Sequence, residues 1–532
     1  MNTLNTTRLL AELPSRLSAI PRRWAARTPH AHALHDGTRH WTYAELAAAI
    51  DDAAAMLRAW QLRPGDRLAV VGENCVAQVV LSFAAADIDA WIVHINGRLT
   101  AREVDAVLAH SGARRAIYLA TPASPETAAH ATRAANTQLA AVPEAAAHAT
   151  DAAAPGAASQ ATGEAAAMSV KTPLGLWLVG PLNADCAPEP VHASGEQQVA
   201  ALLYTTGTTG NPKGVMLTHR NLLFIAAVSS TLRGLTPADR AYGVLPITHV
   251  YGLTSVMLGT LYAGACLYLC PRFTVDGLLA ALRDHRLTIV QGVPAMYARL
   301  LEKLGTTRLH THLRFAYAGG SPLPPSLKAQ VEQLLGLPLH NGYGLTETSP
   351  TVSQTRLDQP RDDTSVGHAI PGIEVRVAAA EDGIGELWVR GPNVMHGYYR
   401  DPGLTAAVLT ADGWLNTGDM ARQADDGALF IVGRTKELII RSGFNIYPLE
   451  VETVLNAHPA VTQSAVVGRP ADDGDEQVLA FVELDPRHPV TMEALHQYLR
   501  DQLAPYKRPA RIIAMDALPA AASGKILKSR LA

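Results

Sequence analysis

Between residues 202 and 217 an apolar run, Leu202-Leu-Tyr204, gives way to a loop built almost wholly from hydroxyls and glycines. It comprises Thr205, Thr206, Gly207, Thr208, Thr209 and Gly210, then Asn211 and Pro212, and ends on Lys213 and Gly214. Glycines let backbone approach an anion closely, threonine hydroxyls and amide N–H groups donate to it, and the lysine adds positive charge. That combination is a grip for a polyphosphate. It is not the Gly-x-x-x-x-Gly-Lys-Ser/Thr loop that runs into a helix, because Gly214 stands where that loop needs a hydroxyl for magnesium. A Gly/Thr hairpin with one exposed lysine is the plainer alternative. The density of hydroxyls before Asn-Pro-Lys-Gly favours the grip.

Four other stretches carry residue types that a nucleotide site needs. In Asn341-Gly342-Tyr343-Gly344-Leu-Thr346-Glu347 the tyrosine offers a flat face to a base, the glycines allow close approach, and Glu347 could hold a magnesium ion against phosphates. Asp419, in Asn416-Thr-Gly-Asp419, is a carboxylate able to accept hydrogen bonds from the vicinal hydroxyls of a ribose. Arg434, followed by Lys436, lies in a basic segment, and Ser523-Gly-Lys525 lies near the last residue. Each alone reads more readily as a turn, a solvated joint or a tail lysine.

The elements that must position these residues are those of a large protein. The 532 residues are 48% hydrophobic, enough for more than one domain with extended cores. A net charge of −3 without a long basic run disfavours nucleic acid as a partner. Four cysteines, Cys75, Cys186, Cys266 and Cys270, sit mostly in apolar surroundings, which points to core packing and a reducing cytoplasm. Arg8, Arg16, Arg22, Arg23 and Arg27 read as a surface helix with snorkelling arginines rather than a targeting signal. No apolar run has the length of a membrane span.

Strand and helix patterns alternate over residues 40–120, with a capping-box signal at Thr42 and Glu45, a buried strand over 67–72 and another over 116–120. This implies parallel βαβ construction. Residues 121–198 are rich in alanine without an apolar stripe and read as a partly ordered surface spacer containing one short strand at 175–179. Residues 431–436 read as a joint, after which Pro448 opens a helix with Glu450 and Glu452 near its start. The expected fold class is therefore α/β: a large N-terminal domain of mixed sheets flanked by helices over 1–433, with a small mobile α+β C-terminal lid domain over 434–532.

Taken together and in this order, the Thr/Gly loop, Gly-Tyr-Gly-Leu-Thr-Glu, Thr-Gly-Asp, Gly-Arg-Thr-Lys and Ser-Gly-Lys-Ile-Leu-Lys resemble the adenylate-forming superfamily. That superfamily comprises acyl- and aryl-CoA synthetases, peptide-synthetase adenylation domains and firefly luciferase. The resemblance runs from about residue 23 to 528. It implies ATP, Mg2+ and coenzyme A as cofactors and co-substrates, and two half-reactions. In the first, a carboxylate attacks the α-phosphate of ATP and diphosphate leaves. In the second, the thiol of coenzyme A displaces AMP. By the same resemblance residues 205–213 grip the β- and γ-phosphates, and Thr346 and Glu347 serve the α-phosphate and magnesium. Tyr343 stacks on adenine beside Gly319, Gly320 and Ser321, Asp419 and Arg434 hold the ribose, and Lys525 bridges the carboxylate and the α-phosphate. The lid turns about Lys436 between the steps and presents Ser442 and Gly443 to the pantetheine arm. His249 falls where the family has a gate beside the acyl carboxylate, with a backbone-satisfied core histidine as the alternative.

Three positions depart from the family pattern. Ala520-Ala-Ala522 replaces a basic residue and a threonine, Ile440 replaces a lysine found in several aryl-CoA ligases, and Gly342 stands where malonate-specific relatives carry arginine. The last disfavours a short dicarboxylic acid and, with Gly319 and Gly320, implies a roomy apolar pocket lined by Val250, Tyr251 and Leu253. The expected reaction is ATP-dependent carboxylic acid:CoA ligation on a fatty or aromatic monocarboxylic acid. The alternative is an adenylating enzyme that loads a separate acyl carrier protein. The remaining expectations are small-molecule partners, no transmembrane segment, a cytoplasmic location and a homodimer as an open assembly state.

Overall fold

Runs of β-branched and leucine residues alternate with helices along most of the chain, and in the computed structural model they become sheets buried between helical layers. The structure describes residues 5–121, 124–139, 168–206, 212–381, 383–441, 444–470, 476–520 and 526–531. They fall into two compact units, Pro14–His219 on one side and Met1–Leu13 with Arg220–Ala532 on the other.

In the unit Pro14–His219 a hairpin of β1 (His32–His35) and β2 (His40–Thr42) precedes the main sheet. That sheet is built from β3 (Arg67–Gly72), β4 (Trp91–Asn96), β5 (Arg115–Leu119), β6 (Met168–Thr172), β7 (Gly175–Val179), β8 (Val199–Thr206) and β9 (Pro212–Thr218), in the order β9-β8-β4-β3-β5-β7-β6. β3 runs parallel to both β4 and β5, the βαβ arrangement read from the pattern. Helix Val76–Asp87 is apolar on every side and buried from Val76 to Ala86, as a helix without a polar face must be. Helix Tyr43–Ala59 starts with a complete capping box between Thr42 and Glu45, so two otherwise orphaned amides are satisfied.

Two expectations need correction here. The alanine-rich stretch is no spacer at its flanks. Residues Pro125–Leu139 form a helix, and β6 and β7 extend the sheet with Trp177 only 1% exposed. Small alanine side chains let that helix lie close, and His130 Nε2 bonds the Leu99 carbonyl at 2.9 Å. Residues 140–167 lie outside the described residues. The arginine-rich N-terminus is two helices, Thr6–Glu12 and Ala19–Arg27, rather than one. Arg16, between them, is mostly buried and pairs with Asp89 at 2.5 Å instead of snorkelling.

In the second unit, β10 (Arg240–Gly243), β11 (Cys266–Leu269), β12 (Ile289–Gly292), β13 (Phe315–Ala318), β14 (Leu339–Gly344), β15 (Thr351–Gln354) and β16 (His368–Ala369) stand in the order β16-β15-β14-β13-β12-β10-β11. β11, β10, β12, β13 and β14 are parallel, and β15 turns back against β14. An antiparallel sheet follows, β17 (Glu374–Glu381), β18 (Ile384–Arg390), β20 (Leu415–Gln423) and β21 (Leu429–Arg434), with the short β19 (Gly397–Tyr398) between β18 and β20 in the chain. The residues read as a joint are thus largely the end of β21, and the turn proper is Thr435–Glu437.

The last part carries the hairpin β22 (Ile439–Arg441) and β23 (Phe444–Ile446), then β24 (Val461–Pro470), β25 (Glu476–Leu484) and β26 (Arg511–Ala514). β24 and β25 are antiparallel, and β25 and β26 parallel. Helices Pro448–Asn456 and Met492–Gln502 bury Val451, Leu455, Leu495 and Leu499 against Val466, Val478 and Ala480. At about 1.5–3 kcal/mol per fully buried aliphatic side chain, this small core is enough to hold the strands and helices as a piece. Among the described residues no helix is long and apolar enough to cross a membrane.

Candidate active site

The candidate site residues of the second unit gather where parallel strands end and the antiparallel sheet begins. β13 leads into Gly319, Gly320 and Ser321, and its neighbour β14 carries Asn341, Gly342, Tyr343 and Gly344. A single turn, Thr346–Thr348, then presents Glu347. The chain doubles back so tightly that a Cβ on Gly344 would lie 1.9 Å from the Pro350 carbonyl oxygen, so only glycine fits there.

Asp419 on β20 and Arg434 on β21 are cross-strand partners, and Arg434 Nε meets Asp419 Oδ1 at 3.0 Å. Tyr343 donates its hydroxyl to the other carboxylate oxygen at 2.5 Å. Three residues far apart in sequence therefore form one cluster. Thr417 Oγ1 accepts the Asp419 amide at 3.1 Å and fixes the backbone of the turn. Burial, then the Asp419 charge, pushes the Tyr343 phenol well above its ordinary pKa, so it stays a donor. Burial opposes the charge on Arg434, but Asp419 and then Glu437, Tyr343 and Glu347 outweigh it and the guanidinium is held charged. Asp419 is 4% exposed with both oxygens engaged, and each oxygen retains a second lone pair for a ligand hydroxyl.

Glu347 has a partner that sequence reading missed. Tyr398 on β19 donates its hydroxyl to Glu347 Oε1 at 2.8 Å, and the Glu347 carbonyl accepts the Met395 amide at 2.9 Å. Nothing in the spacing of Gly397-Tyr398-Tyr399 signals this pair, because it depends on the path of the chain after β18. A carboxylate held in this way, with one oxygen left to coordinate, suits Mg2+, which takes one or two carboxylates with phosphates and water. Among the described residues no group of three or more His, Cys, Asp or Glu could hold a metal ion. Replacing Tyr398 with phenylalanine is expected to raise the Mg2+ concentration for half-maximal adenylation about tenfold, from the loss of one hydrogen bond to a charged acceptor. Titration of Mn2+ binding to the ATP complex by electron paramagnetic resonance checks it, and unchanged affinity refutes it.

Asn341 is placed differently from the others. Its amide nitrogen donates to the Thr364 and Ser365 carbonyls at 3.2 Å each, and its oxygen accepts the Gly342 amide at 3.0 Å. It braces the strand from behind. His249 is exposed, which removes the alternative of a core histidine. Its Nδ1 accepts the Tyr251 amide at 3.3 Å, just before a π-helix over Tyr251–Leu258. Such helices recur at functional sites. A Cβ on Gly319 would lie 3.2 Å from the Tyr251 ring, so the hydroxyl end of the tyrosine sits against the glycine and narrows the space expected there. Val250 and Leu253 are buried, leaving Tyr251 as the partly accessible member of the three. Behind it the lining turns polar: Arg233 donates to Gln291 at 2.7 Å and to Gln354 at 3.0 Å.

In the other unit, Thr205 and Lys213 face each other across β8 and β9, as do Thr206 and Pro212. The Thr/Gly loop is thus the connection of an antiparallel hairpin, and the chain continues into a strand, not a helix. Gly207, Thr208, Thr209 and Gly210 lie outside the described residues, as do Ser442, Gly443 and the Lys525 segment. Lys436 is exposed in the turn Thr435–Glu437.

The motifs, the fold that carries them and the smaller C-terminal domain are those of an ATP-using, adenylate-forming enzyme. The family model described as AMP-binding enzyme matches residues 21–399, and that described as AMP-binding enzyme C-terminal domain matches residues 450–525. The chain belongs to the AMP-binding enzyme family. It is 35% identical to a feruloyl-CoA synthase of Amycolatopsis sp over 97% of this chain and 98% of that protein. It is 31% identical to 4-coumarate--CoA ligase 2 of Oryza sativa subsp. japonica over 93% and 87%. Among solved structures, ATP-bound MatB from Rhodopseudomonas palustris superposes with a TM-score of 0.81 at 30% identity, over 97% of this chain and 98% of that one. The protein is an AMP-forming acid:CoA ligase. It uses ATP, Mg2+ and coenzyme A and works through an acyl-adenylate.

Proposed function

We propose that the acid is an aromatic monocarboxylic acid of the benzoate or cinnamate type. The observation that carries this reading is the Tyr251 ring in contact with Gly319, an aromatic side chain for a planar acyl group to pack against. The relatives matched over nearly their whole length include feruloyl- and 4-coumarate-acting ligases, which supports the same class. An exposed His249 beside that wall is suited to meet the acyl carboxylate.

The roles of the other residues follow from their chemistry. Adenylation brings a carboxylate anion against a polyphosphate, so charge has to be neutralised before bonds change. Lys213 and the threonines from Thr205 to Thr209 bind the β- and γ-phosphates and hold diphosphate as it leaves. Tyr343 presents its ring to adenine while its hydroxyl holds Asp419, and Asp419 accepts hydrogen bonds from the ribose hydroxyls while Arg434 donates to the ribose. Thr346 and Glu347 meet the α-phosphate and Mg2+. The metal, when bound, adds charge neutralisation at the phosphates. Lys525 steadies the carboxylate and the α-phosphate during the first step. Residues 434–532 act as a lid that turns about Lys436, withdraws Lys525 and brings the β22–β23 hairpin, with Ser442 and Gly443, to the pantetheine arm.

A panel of acids from acetate to palmitate, with benzoates and cinnamates, tests the substrate class. AMP release in the presence of coenzyme A is expected to give an aromatic acid a kcat/KM at least about tenfold above that of any straight-chain acid, the scale of one to a few kcal/mol that pocket shape supplies. A straight-chain acid at the top of the series overturns the reading.

A further inference from the structure

Arg233 directly follows helix His219–Leu232 and is 3% exposed, and among the described residues no carboxylate pairs with it. Its two side-chain hydrogen bonds go to neutral amides: Nη1 donates to Gln291 Oε1 at 2.7 Å and Nη2 to Gln354 Oε1 at 3.0 Å. Its Nε has no partner. The guanidinium carbon lies 4.7 Å from the centroid of the Tyr317 ring. An aromatic face and two amide oxygens replace only part of the hydration that a buried guanidinium gives up.

The other arginines buried to a similar degree are used differently. Arg67 donates to the Ser111 and Ala187 carbonyls, Arg114 to those of Gln61 and Asn183, and Arg115 to those of Trp60 and Gly180. Each braces main chain. The side chain of Arg233 braces none among the described residues. Its holders instead fix its direction. Gln291 donates Nε2 to the Ser255 carbonyl at 3.3 Å, which turns its oxygen to the guanidinium. With both amide oxygens engaged in this way, the groups left to meet a ligand are N–H donors.

Strand register places this cation under the acyl slot. Gln291 on β12 stands beside Tyr317 on β13, and Tyr317 beside His340 on β14, so the three share one face of the parallel sheet. Two residues on, the same face carries Gly319 and Gly342, and Gly342 is the cross-strand partner of Gln354. Neither glycine fills the face with a side chain. It stays open toward the carboxyl ends of the strands, where open parallel sheets bind their ligands. Tyr251 closes the Gly319 side, from the π-helix that also holds Ser255. Burial pushes the Tyr251 phenol up to about 12 with the Arg233 charge opposing, so that charge is felt at the ring the acyl group is proposed to meet.

We propose that Arg233 is a specificity-determining residue: its remaining donors take an oxygen substituent, carrying full or partial negative charge, at the end of the acyl group remote from the reacting carboxylate. On an aromatic acid this is a ring hydroxyl. The counter-charge that the fold withholds from Arg233 then arrives with the substrate. The proposal deepens the aromatic reading above and rests on the acyl group lying against Tyr251.

Benzoates or cinnamates that differ only at the far ring position test it, scored by AMP release with coenzyme A. The hydroxyl acid is expected to exceed its methyl isostere in kcat/KM at least about tenfold, mainly through KM, because a site built to hydrogen-bond an oxygen rejects the analogue that lacks it. In Arg233→Met that ratio is expected to fall to within about twofold, whereas loss of a structural brace would lower both acids alike. Arg233→Lys keeps the charge but not the fork that both glutamines grip. Its ratio is expected to fall between the two, and it serves where the methionine variant does not fold. A methyl acid equal to or better than the hydroxyl acid in the unaltered protein, or a ratio unmoved in the variants, overturns the proposal. A second ring carboxylate that outranks the hydroxyl upholds the role of Arg233 and corrects the monocarboxylic reading instead. If a straight-chain acid leads the panel, the aromatic reading falls, and an ω-oxo acid against its parent decides on Arg233 alone. A gain of at least about tenfold that is lost in Arg233→Met upholds the role, and no gain overturns it.

Discussion

Lys525→Ala is expected to lower acyl-adenylate formation about 100- to 1000-fold and to leave thioester formation from supplied acyl-adenylate nearly intact. The size comes from the charge that the proposed role gives this lysine between two anions, the scale found when one preorganised donor to a developing charge is removed. The selectivity comes from the order of the steps. In the proposed role Lys525 is the cation between the carboxylate and the α-phosphate, whereas the thiol attack meets an uncharged acyl carbon and does not call on it. Single-turnover measurements of each half-reaction check it. Loss of both steps to the same degree would mean that the substitution damages the lid, not the chemistry of the first step.

Asp419→Ala carries the second large effect, a rise of about 10- to 100-fold in the ATP concentration needed for half-saturation. The carboxylate is the centre of a cluster, with the Tyr343 hydroxyl at 2.5 Å and Arg434 Nε at 3.0 Å. Its removal takes away the proposed ribose acceptor and also leaves a partly buried phenol and a guanidinium without their shared anion. Asp419→Asn keeps the shape and one acceptor oxygen, and is expected to lose less. Equilibrium binding of ATP in the absence of acid measures both variants, and an affinity equal to that of the unaltered protein would rule out contact between Asp419 and the nucleotide.

Features that depend on neighbours along the chain are legible in the sequence. The capping box at Thr42 and Glu45, the strand over 67–72, the helix opened by Pro448 and the hairpin strand leading into the Thr/Gly loop all follow from local pattern. The order of motifs identifies the enzyme class. Features that depend on chain return are not legible in this way. Tyr398 reaches Glu347 across 51 residues, and Lys528 reaches Glu437 across 91, with no periodicity to announce either pair. The alanine-rich region misleads for a different reason. Alanine gives no apolar stripe to read, yet its small size is what allows helix Pro125–Leu139 to pack closely, and Trp177 carries the burial instead. Asn341 shows the converse limit: a polar residue inside a nucleotide motif has its side chain committed to the backbone behind the strand.

The π-helix at Tyr251–Leu258 bears on how acid selectivity could drift. Bonding from i to i+5 in place of i+4 accommodates one extra residue within the helix. Loss of a single residue from this segment would return it to ordinary α-helical spacing with the register of the flanking chain kept, so only the residues of the widened turns would be re-aimed. Tyr251, the first residue of the segment, is among those whose direction over Gly319 would change. Small insertions and deletions here, more than exchanges of side chains, are therefore the natural route to new acyl preferences in this scaffold.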